Sequence, residues 1–155
     1  MYLYSQLVTS VKIRQFEQKD TEVVIQLAND FASFDGPITE EDLKITHAFP
    51  EGFIVAEDDG NVVGLAYGYF RVVPKEVLDN WGVSKVATIE LLVVDPKYRE
   101  HRIGTSLIDS LIGIFKKAGV DMIGLTCPEG ASHAKRLYEN HGFEISAYHM
   151  RKKLD

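Results

Sequence analysis

The sequence predicts an α/β fold in one domain: a single mixed, mainly antiparallel sheet flanked by helices, with one parallel strand pair. Three observations predict it. Residues 52–57 and 62–73 are strand patterns separated by Asp58-Asp59-Gly60-Asn61, a hairpin turn signal that makes them antiparallel neighbours. Residues 88–112 run as a buried strand, a tight basic turn and an amphipathic helix. A further apolar run at residues 120–126 follows that helix, and strand, helix and strand in succession imply a parallel pair with a right-handed crossover.

Taken in order, residues 11–16 alternate apolar and polar side chains as a half-buried strand does. Asp20 then precedes Val23, Val24, Leu27, Ala28 and Phe31 at helical spacing, and Asp35-Gly36-Pro37 should end that helix near Phe34. Thr39-Glu40-Glu41-Asp42 restarts a short helix with a capping residue and an acidic first turn. In the second hairpin strand Tyr67, Tyr69 and Phe70 make both faces aromatic, mostly as core. Pro74 closes that strand, and Leu78, Trp81 and Gly82 follow without a clear period, as a loop with one helical turn. The next strand, residues 86–94, is apolar from Ile89 to Val94 except for Glu90 and stops at Asp95-Pro96, so it is expected to be buried on both faces. Ile103, Leu107, Ile108, Leu111, Ile112 and Phe115 mark the following helix, which Gly119 ends. After the strand at 120–126, Ser132 is expected to cap a last helix with Ala134, Leu137, Tyr138 and His141 on one side, and Gly142 to end it. Residues 143–145 and 148–153 read as final short strands.

A chain of 155 residues suits a single domain over its whole length. Apolar content of 45% and charged content of 26% are ordinary for a globular protein, and no run approaches a membrane span. The apolar residues of the first ten are broken by Ser5, Gln6 and Thr9, which is not a secretory pattern. One cysteine makes no internal disulfide, so a reducing, cytoplasmic setting is expected. A net charge of −6 argues against wrapping nucleic acid and suits cationic partners. The five histidines show no metal-ligand spacing, and no metal is expected.

Lys97, Arg99, His101 and Arg102 crowd the turn between strand and helix. They sit where a helix N-terminus offers unpaired N–H groups and positive dipole charge, at the carboxyl end of a strand, a setting suited to a phosphate-bearing ligand. Gly104 lets such a ligand approach the backbone. On these residues alone a solvated strand-to-helix connection explains the charges equally well, since neither a Walker-type Gly-Lys-Ser/Thr nor a Gly-x-Gly-x-x-Gly is present.

The segment Val94-Asp95-Pro96-Lys97-Tyr98-Arg99-Glu100-His101-Arg102-Ile103-Gly104 resembles the acetyl-CoA signature of the GCN5-related N-acetyltransferases (GNAT), Arg/Gln-x-x-Gly-x-Gly/Ala. Arg99 and Gly104 fit, while Arg102 stands where the family usually has its first glycine. Downstream, Ala134-Lys135-Arg136-Leu137-Tyr138-Glu139-Asn140-His141-Gly142-Phe143 resembles the second signature, Ala-x-x-Leu-Tyr-x-x-x-Gly-Phe. The resemblance extends over residues 11–154. It implies the GNAT fold, with the parallel strand pair splayed to hold acetyl-CoA, and an N-acetyltransferase that moves the acetyl group directly to a primary amine.

Residue by residue, the resemblance implies cofactor contacts from Leu92, Val93, Val94, Arg99, Glu100, His101, Arg102, Ile103, Gly104 and Thr105, with an N–H near Leu92 or Val93 donating to the acetyl oxygen. Ala131 replaces an asparagine common in relatives, and Ser132 is expected to take over its contact. An alkylammonium costs roughly 4 to 5 kcal/mol to deprotonate at neutral pH, so a base is useful. Glu90, the lone charge in an apolar strand, is the candidate, its pKa expected to rise on burial. Tyr138 matches the family's tyrosine and is the candidate general acid for the leaving thiolate. The loop after the first helix borders the acceptor site in the family, which makes Asp35 a candidate there; Trp81 either lines the acceptor pocket or plugs a small core. A small-molecule amine is the expected acceptor. A protein N-terminus or lysine is the rival within the enzyme class, and a non-catalytic acyl-CoA-binding sensor the rival outside it. Relatives that dimerise through their last strands imply a homodimer.

Overall fold

The computed structural model describes residues 11–32 and 36–155. Asp35 therefore lies outside the described residues. Five described strands form one sheet in the order β1 (Val11–Gln15), β2 (Phe53–Asp58), β3 (Asn61–Arg71), β4 (Val86–Val94) and β5 (Met122–Leu125). All neighbours are antiparallel except β4 and β5, which run parallel. The helices are α1 (Thr21–Phe31), α2 (Lys75–Trp81), α3 (Ile103–Lys117) and α4 (Ser132–Asn140). Among the described residues, no helix is long and apolar enough to cross a membrane.

The two faces of the sheet bury separate cores. On one, Ile54, Ala56, Val63, Ala66, Ala87 and Ile89 meet Ile103, Leu107, Leu111 and Phe115 of α3. On the other, Phe53, Val55, Leu65, Tyr67, Leu91 and Val93 meet Val24 and Leu27 of α1 and Leu43. The apolar stripe of α3 is thus the helix's packing face, and each fully buried leucine or phenylalanine on it contributes about 1.5–3 kcal/mol. Gly68 belongs to this packing: a Cβ there would stand 2.6 Å from Phe115 and 2.7 Å from the Thr88 carbonyl.

Among the described residues, one charged group is buried. Asp20, 4% exposed, accepts from Arg14 at 2.7 and 2.9 Å and from the Glu17 N–H at 2.8 Å, joining β1 to the start of α1. The Arg14 hydrogen bonds hold its carboxyl below the usual 3.8 despite burial.

Several elements differ from expectation. The first helix stops at Phe31. Residues 42–48 form a 3-10 helix in which Asp42 is the acceptor, taking the Thr39 N–H and hydroxyl at 2.8 Å each, so the carboxylate and not the threonine organises this turn. The expected loop after Pro74 contains two turns of helix, stopped by a left-handed Gly82 at φ 70°. Trp81 is 42% exposed there and plugs no core. Ala131, not Ser132, occupies the N-cap of α4; Ser132 is already the first helical residue and its side chain makes no capping bond. Residues 143–155 form no strand. Tyr148 and Met150 are exposed there, and such a short alternation with no covered face does not offset the entropy of ordering it.

Candidate active site

The site begins at an irregularity in β4. The β3–β4 register pairs Gly68 with Ile89 and Tyr67 with Leu91, leaving Glu90 opposite no residue of β3. An extra residue in one strand shifts the side-chain phase of everything after it. Accordingly Ala87 and Ile89 pack toward α3, whereas Leu91 and Val93 pack toward α1. Glu90 is exposed at this point, which corrects the expectation that burial acts on it: the bulge turns its carboxylate out of the core. Tyr67 and Tyr69 lie close by on the α1 side, their rings 5.8 Å apart. Burial first, and then the charges around them including that of Glu90, hold both phenols above their ordinary value.

Parallel pairing ends at the same place. Ile89 with Leu125 is the last rung between β4 and β5, so beyond Glu90 the two strands separate. The Asp95 N–H bonds the Val63 carbonyl of β3 at 2.9 Å. Strand N–H groups alternate in direction, so those of Leu92 and Val94 face the opened side and that of Val93 faces β3.

At the end of β4, Asp95 Oδ1 accepts the Lys97 N–H at 3.0 Å and the Asp95 carbonyl accepts the Tyr98 N–H at 2.8 Å, winding Pro96–His101 into a 3-10 turn. Glu100 lies in that turn. Pro96, Lys97, Arg99 and His101, together with His133 at the start of α4, line an open depression of about 500 Å³. Two cationic side chains, Lys97 and Arg99, line it with two histidines, so it is suited to an anion. Arg102 is the N-cap of α3 and is left-handed, with φ 57° and ψ 26°: it has the conformation for which glycine is favoured, and its guanidinium is exposed. Ile103 is wholly buried, so only its backbone is available to a ligand, while Thr105 is half-buried. At Gly104 a Cβ would stand 3.0 Å from Leu137 of α4. Its small size lets α3 and α4 approach.

Tyr138 follows Leu137 on α4 and packs edge-on to Phe143, with ring centroids 5.8 Å apart. Burial, and to a lesser degree Cys127, push its phenol up to about 12. The Cys127 sulfur sits 3.9 Å from the Ala131 carbonyl. Glu90 directly follows Ile89 of the last β4–β5 rung, and Cys127 comes two residues after Leu125, its partner in that rung. His141 secures α4, with Nδ1 2.8 Å from the Leu137 carbonyl and Nε2 3.1 Å from Asp109 of α3. Trp81 is placed by none of these contacts at the opening. Sequence reasoning left Tyr69 in the core and did not single out His133; no motif marks either, and only the register of the bulge and the seating of α4 bring them in.

An exposed carboxylate and outward strand N–H groups thus stand where the parallel pairing ends, with a basic turn at the end of the same strand. The model of the acetyltransferase (GNAT) family matches residues 17–143. The chain belongs to this family. A mycothiol acetyltransferase of Brachybacterium faecium is 29% identical over 115 residues, which are 72% of this chain and 33% of that protein. The GNAT chain thus spans about a third of the length of this curated relative. Among solved structures, Ard1 from Thermoplasma volcanium superposes with a TM-score of 0.75 at 27% identity, covering 88% of this chain and 84% of that one. The aminoglycoside N-acetyltransferase AAC(6')-Iy in complex with CoA superposes with a TM-score of 0.72 at 17% identity, covering 93% and 94% of the two chains, a likeness of fold. The splayed parallel pair within a mixed sheet is the GNAT architecture, as the sequence predicts.

Proposed function

We propose that this GNAT chain transfers an acetyl group from acetyl-CoA directly to a primary amine, with a small-molecule amine as acceptor. The observation that carries the proposal is the coincidence of the Glu90 bulge with the last β4–β5 rung, which supports a carboxylate and outward-facing strand N–H groups acting at one opening. The residues fit acetyl-CoA: Lys97, Arg99 and His101 with the α3 N-terminus suit its phosphates, and the opened side of β4 suits its amide-bearing arm. When bound, it supplies an activated acetyl group.

The chain's own groups then divide the work. Glu90 takes a proton from the acceptor ammonium, directly or through one water, and makes the nitrogen nucleophilic. The Leu92 N–H, which the ladder parity turns outward, donates to the acetyl oxygen as negative charge gathers there, a contribution of about 3 kcal/mol for one well-aimed donor. Tyr138, with its phenol pushed up to about 12, keeps its proton at neutral pH and gives it to the departing thiolate. Cys127 takes no acetyl group in this scheme.

A peptide amine is the second reading. It is favoured by the 67% exposure of Ile45, whose carbonyl lies 3.4 Å from the Tyr67 hydroxyl; this sets an apolar side chain near the face that Glu90 joins. The expected cytoplasmic homodimer belongs to the proposal as well, and size-exclusion chromatography with light scattering tests the dimer.

Release of CoA thiol from acetyl-CoA, measured across polyamines, amino sugars, amino acids and short peptides, tests the function. Selective turnover with one small-amine class supports the primary reading, and selectivity for peptides replaces it with the second. Acetyl-CoA binding without release from any acceptor points to a sensor module instead.

A further inference from the structure

An exposed glutamate on a strand ordinarily samples several rotamers, so a base at position 90 needs something to fix its carboxylate. Tyr69 is placed to do so. It pairs with Thr88, two residues before Glu90, and diagonal cross-strand neighbours lie within reach of an aromatic side chain. The bulge supplies the correct phase, since Leu91, which follows Glu90, packs in the same core as Tyr67, with Tyr69 against it. The two tyrosines have separate tasks. The Tyr67 hydroxyl donates to the Ile45 carbonyl at 3.4 Å and so ties residues 42–48 to the sheet, whereas Tyr69 stands diagonally across the strand pair from Glu90.

We propose that Tyr69 is the positioning residue for Glu90, its O–H donating to one carboxylate oxygen and leaving the other free for the acceptor ammonium. The role rests on the acetyltransferase reading above. In the proton transfer one N–H bond of the ammonium breaks and an O–H bond forms on the free oxygen, so that the acceptor becomes a neutral amine and Glu90 a carboxylic acid. Tyr69 keeps its own proton throughout. Burial, and then the nearby Glu90, hold the Tyr69 phenol above its ordinary 10.0 against the opposing charge of Arg71, which keeps it a donor at neutral pH.

The test is a double-mutant cycle on the unmodified chain, Tyr69→Phe, Glu90→Gln and the pair, read by CoA thiol release with the preferred amine and by thermal unfolding. Tyr69→Phe is expected to lower kcat about tenfold, to leave KM for acetyl-CoA within about twofold, and to have no further effect in the Glu90→Gln background. Glu90→Asp, which withdraws the carboxylate from the hydroxyl, is expected to lower kcat similarly and to be insensitive to Tyr69→Phe. Equal losses from Tyr69→Phe with and without Glu90, or no loss at all, overturn the role while leaving the acetyltransferase reading intact. Absence of thiol release by the unmodified chain with every amine overturns both.

Discussion

Ile89 and Leu91 are two residues apart on β4 yet pack on opposite faces of the sheet, Ile89 toward α3 and Leu91 toward α1. In a regular strand they would share a face. The residue between them, Glu90, absorbs the change of phase, and with it the chain acquires an outward carboxylate beside the point where β5 departs. Both the proposed base and the proposed oxyanion donor follow from this one irregularity.

Arg102 holds a left-handed conformation that costs an L-residue free energy and a glycine almost none. Arg102→Gly should therefore stabilise the fold by about 1 kcal/mol, seen as a higher midpoint in urea. If the guanidinium also meets a phosphate, KM for acetyl-CoA should rise at the same time.

Gly104→Ala should act at a distance. Its Cβ would stand 3.0 Å from Leu137 Cδ2, so α4 must shift, and Tyr138 is the next residue on α4. A modest loss of stability of about 1 kcal/mol should accompany a larger fall in kcat than rise in KM, checked by steady-state kinetics and thermal melts.

Asp20 is held below its ordinary 3.8 by its hydrogen bonds with Arg14. A depressed carboxyl contributes stability that is fully present above its unfolded value and is lost as pH falls through its folded value. Asp20→Asn should cost about 2 kcal/mol at pH 7, and the difference from the natural chain should shrink as unfolding is followed from pH 5 toward pH 2.

The tyrosine at 138 has its phenol pushed up to about 12, so its donor form persists through the neutral and mildly alkaline range. Tyr138→Phe should lower kcat on the order of a hundredfold. The loss should be equal at pH 7 and pH 9; an alkaline limb near pH 9 that disappears in the variant would assign the phenol a lower value.

Much of this was legible in the sequence. The hairpin at residues 58–61 announces itself by turn chemistry, and α3 by an apolar stripe bounded by a basic turn and Gly119. The bulge was not, because a strand apolar on both faces has no alternation for an extra residue to interrupt. For the same reason Glu90 looked buried. Ser132 resembled a cap by residue type alone, whereas the preceding chain geometry puts Ala131 at that position. The tail from Phe143 alternates briefly, but pattern cannot supply a partner strand. Tyr69 looked like core because its role depends on register across β3 and β4 and not on local pattern.

The most direct measurement compares CoA thiol release by the natural chain and by Glu90→Gln with the best amine of a panel. Because Glu90 is exposed, the variant should melt at the same temperature. The account predicts release by the natural chain and a fall in kcat/KM of about a hundredfold in the variant at neutral pH. Undiminished release by a fully folded Glu90→Gln protein would contradict it.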